Sequence, residues 1–182
     1  MGNLLKKGAE HMMFISHRGN IDGAQPENEN RPEYINQAME DGYSVEIDVW
    51  KINGEFFLGH DTPDHKVPLR FLTNHSTVIM VGSGEPELLC HAKNLDALEA
   101  MLTSGIHCFW HEEDAYTITS RGIIISYPGN AITGRSICMK PELINQDSID
   151  RCYGICSDYI DRYREEKQES KEKDGQSFNT TR

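Results

Sequence analysis

Val45-Glu46-Ile47-Asp48-Val49 reads as a strand with two unlike faces. Side chains alternate along an extended chain, so three β-branched residues share one face and Glu46 and Asp48 share the other. Two carboxylates on one strand face repel each other unless a cation lies between them. The alternatives are a strand with a solvated acidic face and a strand that holds a hard divalent ion through oxygen ligands. The neighbouring sequence favours the ion. Upstream, Met13-Phe14-Ile15-Ser16 leads into His17-Arg18-Gly19, and downstream Phe56-Phe57-Leu58-Gly59 leads into His60-Asp61. Each is a short apolar run that ends in a histidine.

A histidine titrates close to neutral pH, so His17 and His60 are candidates for general acid and base. Arg18 offers a planar fork of donors to a phosphate. Gly19 would let the backbone approach a ligand closely. Asp61 either orients His60 or caps the next segment. Pro26-Glu27-Asn28 lies in the loop between the first strand and the first helix. There Glu27 is either a metal ligand or a partner for Arg18. Further on, Leu89, His91 and Lys93 share one strand face, which adds an imidazole and a cation. Trp50 continues the face of Glu46 and Asp48, and Trp110 ends a later strand. The two indoles line a substrate pocket or close the top of the core.

Apolar runs predict eight strands, near 13–17, 44–50, 56–60, 88–92, 107–111, 122–127, 136–139 and 154–157. Helical spacing predicts helices at 33–41, 94–104 and 142–150 and another from 159, with Asn94 as an N-cap and Gly42 and Gly105 as stops. Strands alternating with helices point to an α/β fold, and eight of them to a compact (β/α)8 TIM barrel with shortened helices over 13–163. Such a barrel usually needs about 250 residues. Connections after strands two, five and six must then be short loops. Ser76-Thr77-Val78-Ile79-Met80-Val81 also reads as a strand, which would shift the later register by one. Residues 1–12 read as an N-terminal extension or a cloning remnant. Residues 164–182 form a charged tail that extends the last helix and then becomes disordered.

The chain has 182 residues and a net charge of −11. Its acidity argues against a general nucleic-acid binder. Positive charge for an anionic ligand must be concentrated locally, at Arg18, Lys93 and a bound metal. No apolar run reaches the length of a membrane span, and no signal-peptide core opens the chain. Cys90, Cys108, Cys138, Cys152 and Cys156 contain no Cys-x-x-Cys pair. They read as reduced, buried thiols of a cytoplasmic protein.

His17-Arg18-Gly19, Pro26-Glu27-Asn28, Glu46-Ile47-Asp48 and His60-Asp61 occur in the order and spacing that resemble the glycerophosphodiester phosphodiesterase family. The resemblance covers most of 13–161 and is strong in the first fifty residues and at His91 and Lys93. It implies the same barrel, a single divalent ion (Mg²⁺, Ca²⁺ or Mn²⁺) and hydrolysis of a small glycerophosphodiester-like molecule. It implies Glu46 and Asp48 as metal ligands and Lys93 facing the phosphate, with Glu27 and Asn28 helping to build the site. Relatives carry an acid two residues before that lysine, where this chain has His91. Imidazole also binds divalent metals, so His91 is expected to ligate in its place. Phe109-Trp110-His111…Asp114 and Tyr127-Pro128-Gly129 resemble a small, insertion-poor branch. Ser157-Asp158 matches a family pair read as structural, and Lys140 and Glu142 have no assigned part. The other readings are an inactive phosphate-ligand binding barrel and a lipid phosphodiesterase of phospholipase D type that forms cyclic phosphates.

Overall fold

The computed structural model describes residues 12–74, 87–144 and 149–179. In chain order the first elements are β1 (Met13–His17), α1 (Pro32–Glu40), β2 (Ser44–Ile52), β3 (Glu55–Leu58), β4 (His65–Val67) and α2 (Leu69–Asn74). Then come β5 (Leu88–Ala92), α3 (Leu95–Thr103), β6 (Cys108–Trp110), β7 (Tyr116–Ile118) and β8 (Ile124–Ser126). The last are β9 (Ser136–Met139), β10 (Gly154–Ser157) and α4 (Ile160–Asn179). All eight expected strands are among them. The charged segment from Arg164 continues α4 as far as Asn179.

The arrangement corrects the expected (β/α)8 barrel. The strands form one curled, mixed sheet, a half-barrel whose helices do not alternate with its strands. In space β6, β5, β2, β1, β10, β9 and β8 run parallel in that order. β3 returns antiparallel on the far half of β2, β4 follows it, and β7 pairs antiparallel with β8. Among the described residues no ladder joins β6 to β7. That seam is spanned by Ser120 N–H donating to Cys108 O at 2.7 Å and Thr117 Oγ1 donating to Trp110 O at 2.7 Å.

The reasons are local. Asn53 and Gly54 both have positive φ, 51° and 84°. Two such residues make the tightest link between antiparallel strands, so the third expected strand folds back on β2 instead of crossing over. After β6 the linking segments 119–122 and 127–135 carry no apolar stripe of helical period. Where a helix is expected at 142–150, the described residues form 3-10 turns at Pro141–Leu143 and Ile149–Arg151. The strand-like run 76–81 lies outside the described residues.

Alternation along the strands sorts the core. Val45, Ile47 and Val49 pack with Leu88, Cys90 and Ala92 beneath α1 and α3. Ile15, Leu89, Phe109, Ile125, Ile137, Met139 and Cys156 fill the concave side. Tyr43, Cys138, Cys152 and Ile155 pack under Ile160 and Tyr163 of α4. Asn94 caps α3 as expected, its Oδ1 accepting from Ala97 N–H at 2.9 Å. All five cysteines are free and buried. Among the described residues no helix is long and apolar enough to cross a membrane.

Candidate active site

Parallel strands end at one rim, and the polar faces of β1, β2 and β5 meet there. Glu46 and Asp48 stand beside His91 because β2 and β5 pair Asp48 with His91. The three residues offer ligand atoms that all lie within 4.8 Å of one another. His91 Nδ1 is 3.1 Å from Asp48 Oδ1 and 4.0 Å from Glu46 Oε1. Glu46 Oε2 is buried with no hydrogen-bond partner among the described residues. A buried carboxylate oxygen without a donor is costly, and a cation in the gap would relieve it. Two oxygens and one imidazole suit a divalent ion, so the donor set fits the metal that the sequence implies.

Asp48 is fully buried and is the hub of the site. Its Oδ2 accepts from Asn30 Nδ2 at 2.9 Å and lies 2.9 Å from Arg18 Nε, an ion pair without hydrogen-bond alignment. Its Oδ1 lies 3.6 Å from Lys93 Nζ. Burial alone would raise this carboxyl, but the His91 hydrogen bond and the Arg18 charge hold it well below the aspartate range. Glu46 goes the other way: burial, then the Asp48 charge, pushes it up.

His17 is only 7% exposed, so it is not the rim residue that its place at a strand end suggests. Its Nδ1 lies 2.6 Å from Asp158 Oδ1, and its Nε2 is 3.9 Å from Glu46 Oε2. Asp158 also accepts from Asn20 Nδ2 at 2.8 Å and pairs with Lys140 Nζ at 2.8 Å. These partners overcome burial and hold Asp158 low as well. Asp158 therefore has a part beyond the structural one expected of it. It orients His17, as second carboxylates orient catalytic imidazoles.

The depressed Asp48 and Asp158 carboxyls tie stability to pH. A folded value below the ordinary 3.8 gives stability that is complete above 3.8 and is lost as pH falls through the folded value. Glu46, raised, detracts from stability as pH rises past its ordinary value near 4.5. The metal-free protein is expected to become easier to unfold as pH drops below about 4, with Asp158→Asn flattening that slope. Urea unfolding across acidic pH measures it. An unchanged slope in Asp158→Asn would remove this carboxylate as a source of acid sensitivity.

His60 follows β3 on a tight loop. Gly59 has φ 147°, and a Cβ there would come within 2.0 Å of Thr62 O. His60 Nδ1 pairs with Asp61 Oδ1 at 2.7 Å, so Asp61 orients the ring. Burial, then the Arg18 charge, pushes His60 below its ordinary value, which keeps it neutral near pH 7. Trp50 does not line the cavity; its Nε1 donates to Gly59 O at 2.7 Å and anchors this loop.

The Pro26-Glu27-Asn28 triplet is displaced from its expected part. Glu27 is exposed, and its carbonyl accepts from Arg31 Nε at 2.7 Å. Asn28 Nδ2 donates to Gln25 Oε1 at the surface. The following pair does the work. Glu29 Oε2 receives Arg18 Nη1 at 3.1 Å and its Oε1 receives Asn20 Nδ2 at 2.8 Å, while Asn30 holds Asp48. Gly19 also has a different role: a Cβ there would lie 2.5 Å from Tyr34 Cδ1, so its bareness admits that ring rather than a ligand. Three of the four non-glycine residues with positive φ, Arg18, Asn30 and Lys140, belong to this network. Backbone held in that region is costly and gathers where side chains must be aimed.

A cavity of about 530 Å³ opens over these groups. His17, Arg18, Glu46, His60, His91 and Lys93 line it. So do Phe109, Tyr127, Pro128, Met139 and Leu143, with His111, Glu112 and Lys140 among them. Trp110 borders the cavity but packs against the cluster beneath α1 and α3. Sequence reasoning missed Glu29, Asn30, Lys140 and the orienting role of Asp158. The repeated Glu-Asn of residues 27–30 was the one available signal. No protein-family model, curated protein or solved structure matches the chain.

Proposed function

We propose that the protein is a metal-dependent phosphodiester hydrolase, in line with the sequence resemblance to glycerophosphodiester phosphodiesterases. One observation carries the reading. A Glu46, Asp48 and His91 cluster shares a cavity with two cations, Arg18 and Lys93, and two histidines, each with a carboxylate on Nδ1. Glu46, Asp48 and His91 would hold the ion, which when bound draws electron density from a phosphoryl oxygen. Arg18, fixed by Glu29 and Asp48, and Lys93 neutralise charge that grows on the phosphoryl group. His17 and His60 present their Nε2 atoms as the acid–base pair. One takes the proton of the attacking hydroxyl, from water or from the substrate's own alcohol. The other protonates the departing alkoxide.

Removal of divalent metal with EDTA is expected to abolish hydrolysis of a phosphodiester such as bis(4-nitrophenyl) phosphate. Add-back should restore it, with Mn²⁺ ahead of Ca²⁺ because one ligand is nitrogen. Full activity in metal-free protein would sink the mechanism. Phosphate binding without turnover under any metal would leave a binding protein instead.

A further inference from the structure

Beyond Arg18 and Lys93 the lining of the cavity is mostly apolar, with His111, Glu112 and Lys140 among it. Phe109 of β6, Tyr127 after β8 and Met139 of β9 point to the concave side, where they belong to or pack on the inner core. This wall begins where the candidate metal site ends. The His91 ring stacks on Phe109 with centroids 4.7 Å apart, and its Nε2 meets His111 O at 3.2 Å. His111 in turn stacks on Tyr127 at 3.6 Å and 15°. At the mouth stands Leu143, 62% exposed although it is a leucine. Its turn is set by the site, since Lys140, which opens that turn at φ 45°, is tied through Nζ to Asp158. Lys140 on this side is tied to Asp158, and Phe109, Pro128, Met139 and Leu143 offer the hydroxyls of a polyol such as glycerol no partner, which disfavours it against them. An apolar group would cover Leu143 and the Tyr127 edge.

We propose that this arm receives an apolar alcohol group, aryl or alkyl, attached to the phosphodiester. The inference rests on the phosphodiesterase reading and names the substrate class within it. Small-molecule sites commonly enclose roughly 300–1,000 Å³, so the cavity has room for such a group beside a phosphate.

The test uses metal-loaded protein and four diesters of glycerol phosphate whose second alcohol is ethanol, hexanol, benzyl alcohol or choline. The benzyl or hexyl diester is expected to exceed the ethyl one by about 10–100-fold in kcat/KM. Benzyl ahead of hexyl assigns a ring, and hexyl ahead assigns a chain; either supports the proposal. Leu143→Ser is expected to narrow the gap to a few-fold. Equal rates across the series would overturn the inference and leave the phosphodiesterase reading standing. A choline diester turned over best would also overturn it, giving the wall and the neighbouring Glu112 to a cation. No turnover of any of the four would bring down both.

Discussion

His17→Ala is expected to lower kcat for an unactivated phosphodiester by roughly 10²–10⁴-fold, the usual worth of a positioned acid or base. The ring is buried, bonded through Nδ1 to Asp158, and aimed through Nε2 at the space beside Glu46. That geometry serves proton transfer at one atom. The fold should survive the change, because Asp158 keeps Lys140 and Asn20 as partners. The loss is one charge-assisted hydrogen bond, about 1.5–3 kcal/mol. A 4-nitrophenolate leaving group needs no proton, so it should rescue only one of His17→Ala and His60→Ala, and that one identifies the acid. A His17→Ala protein within a few-fold of wild type on both substrates would make the ring a post for Asp158 and nothing more.

The Glu46, Asp48 and His91 cluster was legible in the sequence because a strand has period two. Once Glu46 and Asp48 were placed on one face of β2, and His91 and Lys93 on one face of β5, only the pairing of the two strands remained to bring them together. His17 and Arg18 were legible for the same reason. Asp158 and Lys140 were not. They stand at the ends of β10 and β9, and their meeting with His17 depends on β10 lying between β1 and β9. Sheet order is a tertiary fact that no local pattern encodes.

Glu29 and Asn30 were hidden differently. Glu27-Asn28 and Glu29-Asn30 offer the same two side chains twice. The choice falls to the second pair because Asn30, at φ 61°, turns its amide onto Asp48. Left-handed backbone at an asparagine is cheap enough to occur and too common to predict.

The barrel failed on a signal that was present. Asn53-Gly54 between two apolar runs is a strong mark of a hairpin. Counting the apolar runs alone made Phe56-Phe57-Leu58 one more parallel strand. The antiparallel β3 that forms instead carries His60 back from the end of β2 to the level of Asp48, whose carbonyl accepts from Gly59 N–H. The hairpin thus gives the site its second histidine in fewer residues than a crossover helix would need.

Asp48→Ala is expected to be the most damaging single change, in stability as well as activity. The carboxylate has no exposure, and four side chains converge on it: Arg18, Asn30, His91 and Lys93. Breaking a buried ion pair by deleting one partner costs about 3–5 kcal/mol, since the partner charges stay buried. For a domain of this size that corresponds to a melting point lower by roughly 6–20 °C. Asp48→Asn should fall between the two proteins, because an amide can still meet Asn30 but cannot balance Arg18. Neither variant should bind Mn²⁺ with wild-type affinity, as one of the three proposed ligands is lost. Differential scanning calorimetry of the metal-free proteins reads the first effect, and titration calorimetry with Mn²⁺ reads the second. An Asp48→Ala protein that melts within about 2 °C of wild type would show that Arg18 and Lys93 find water or Glu29 and Glu46 at little cost. In that case Asp48 would not be the hub that its contacts describe.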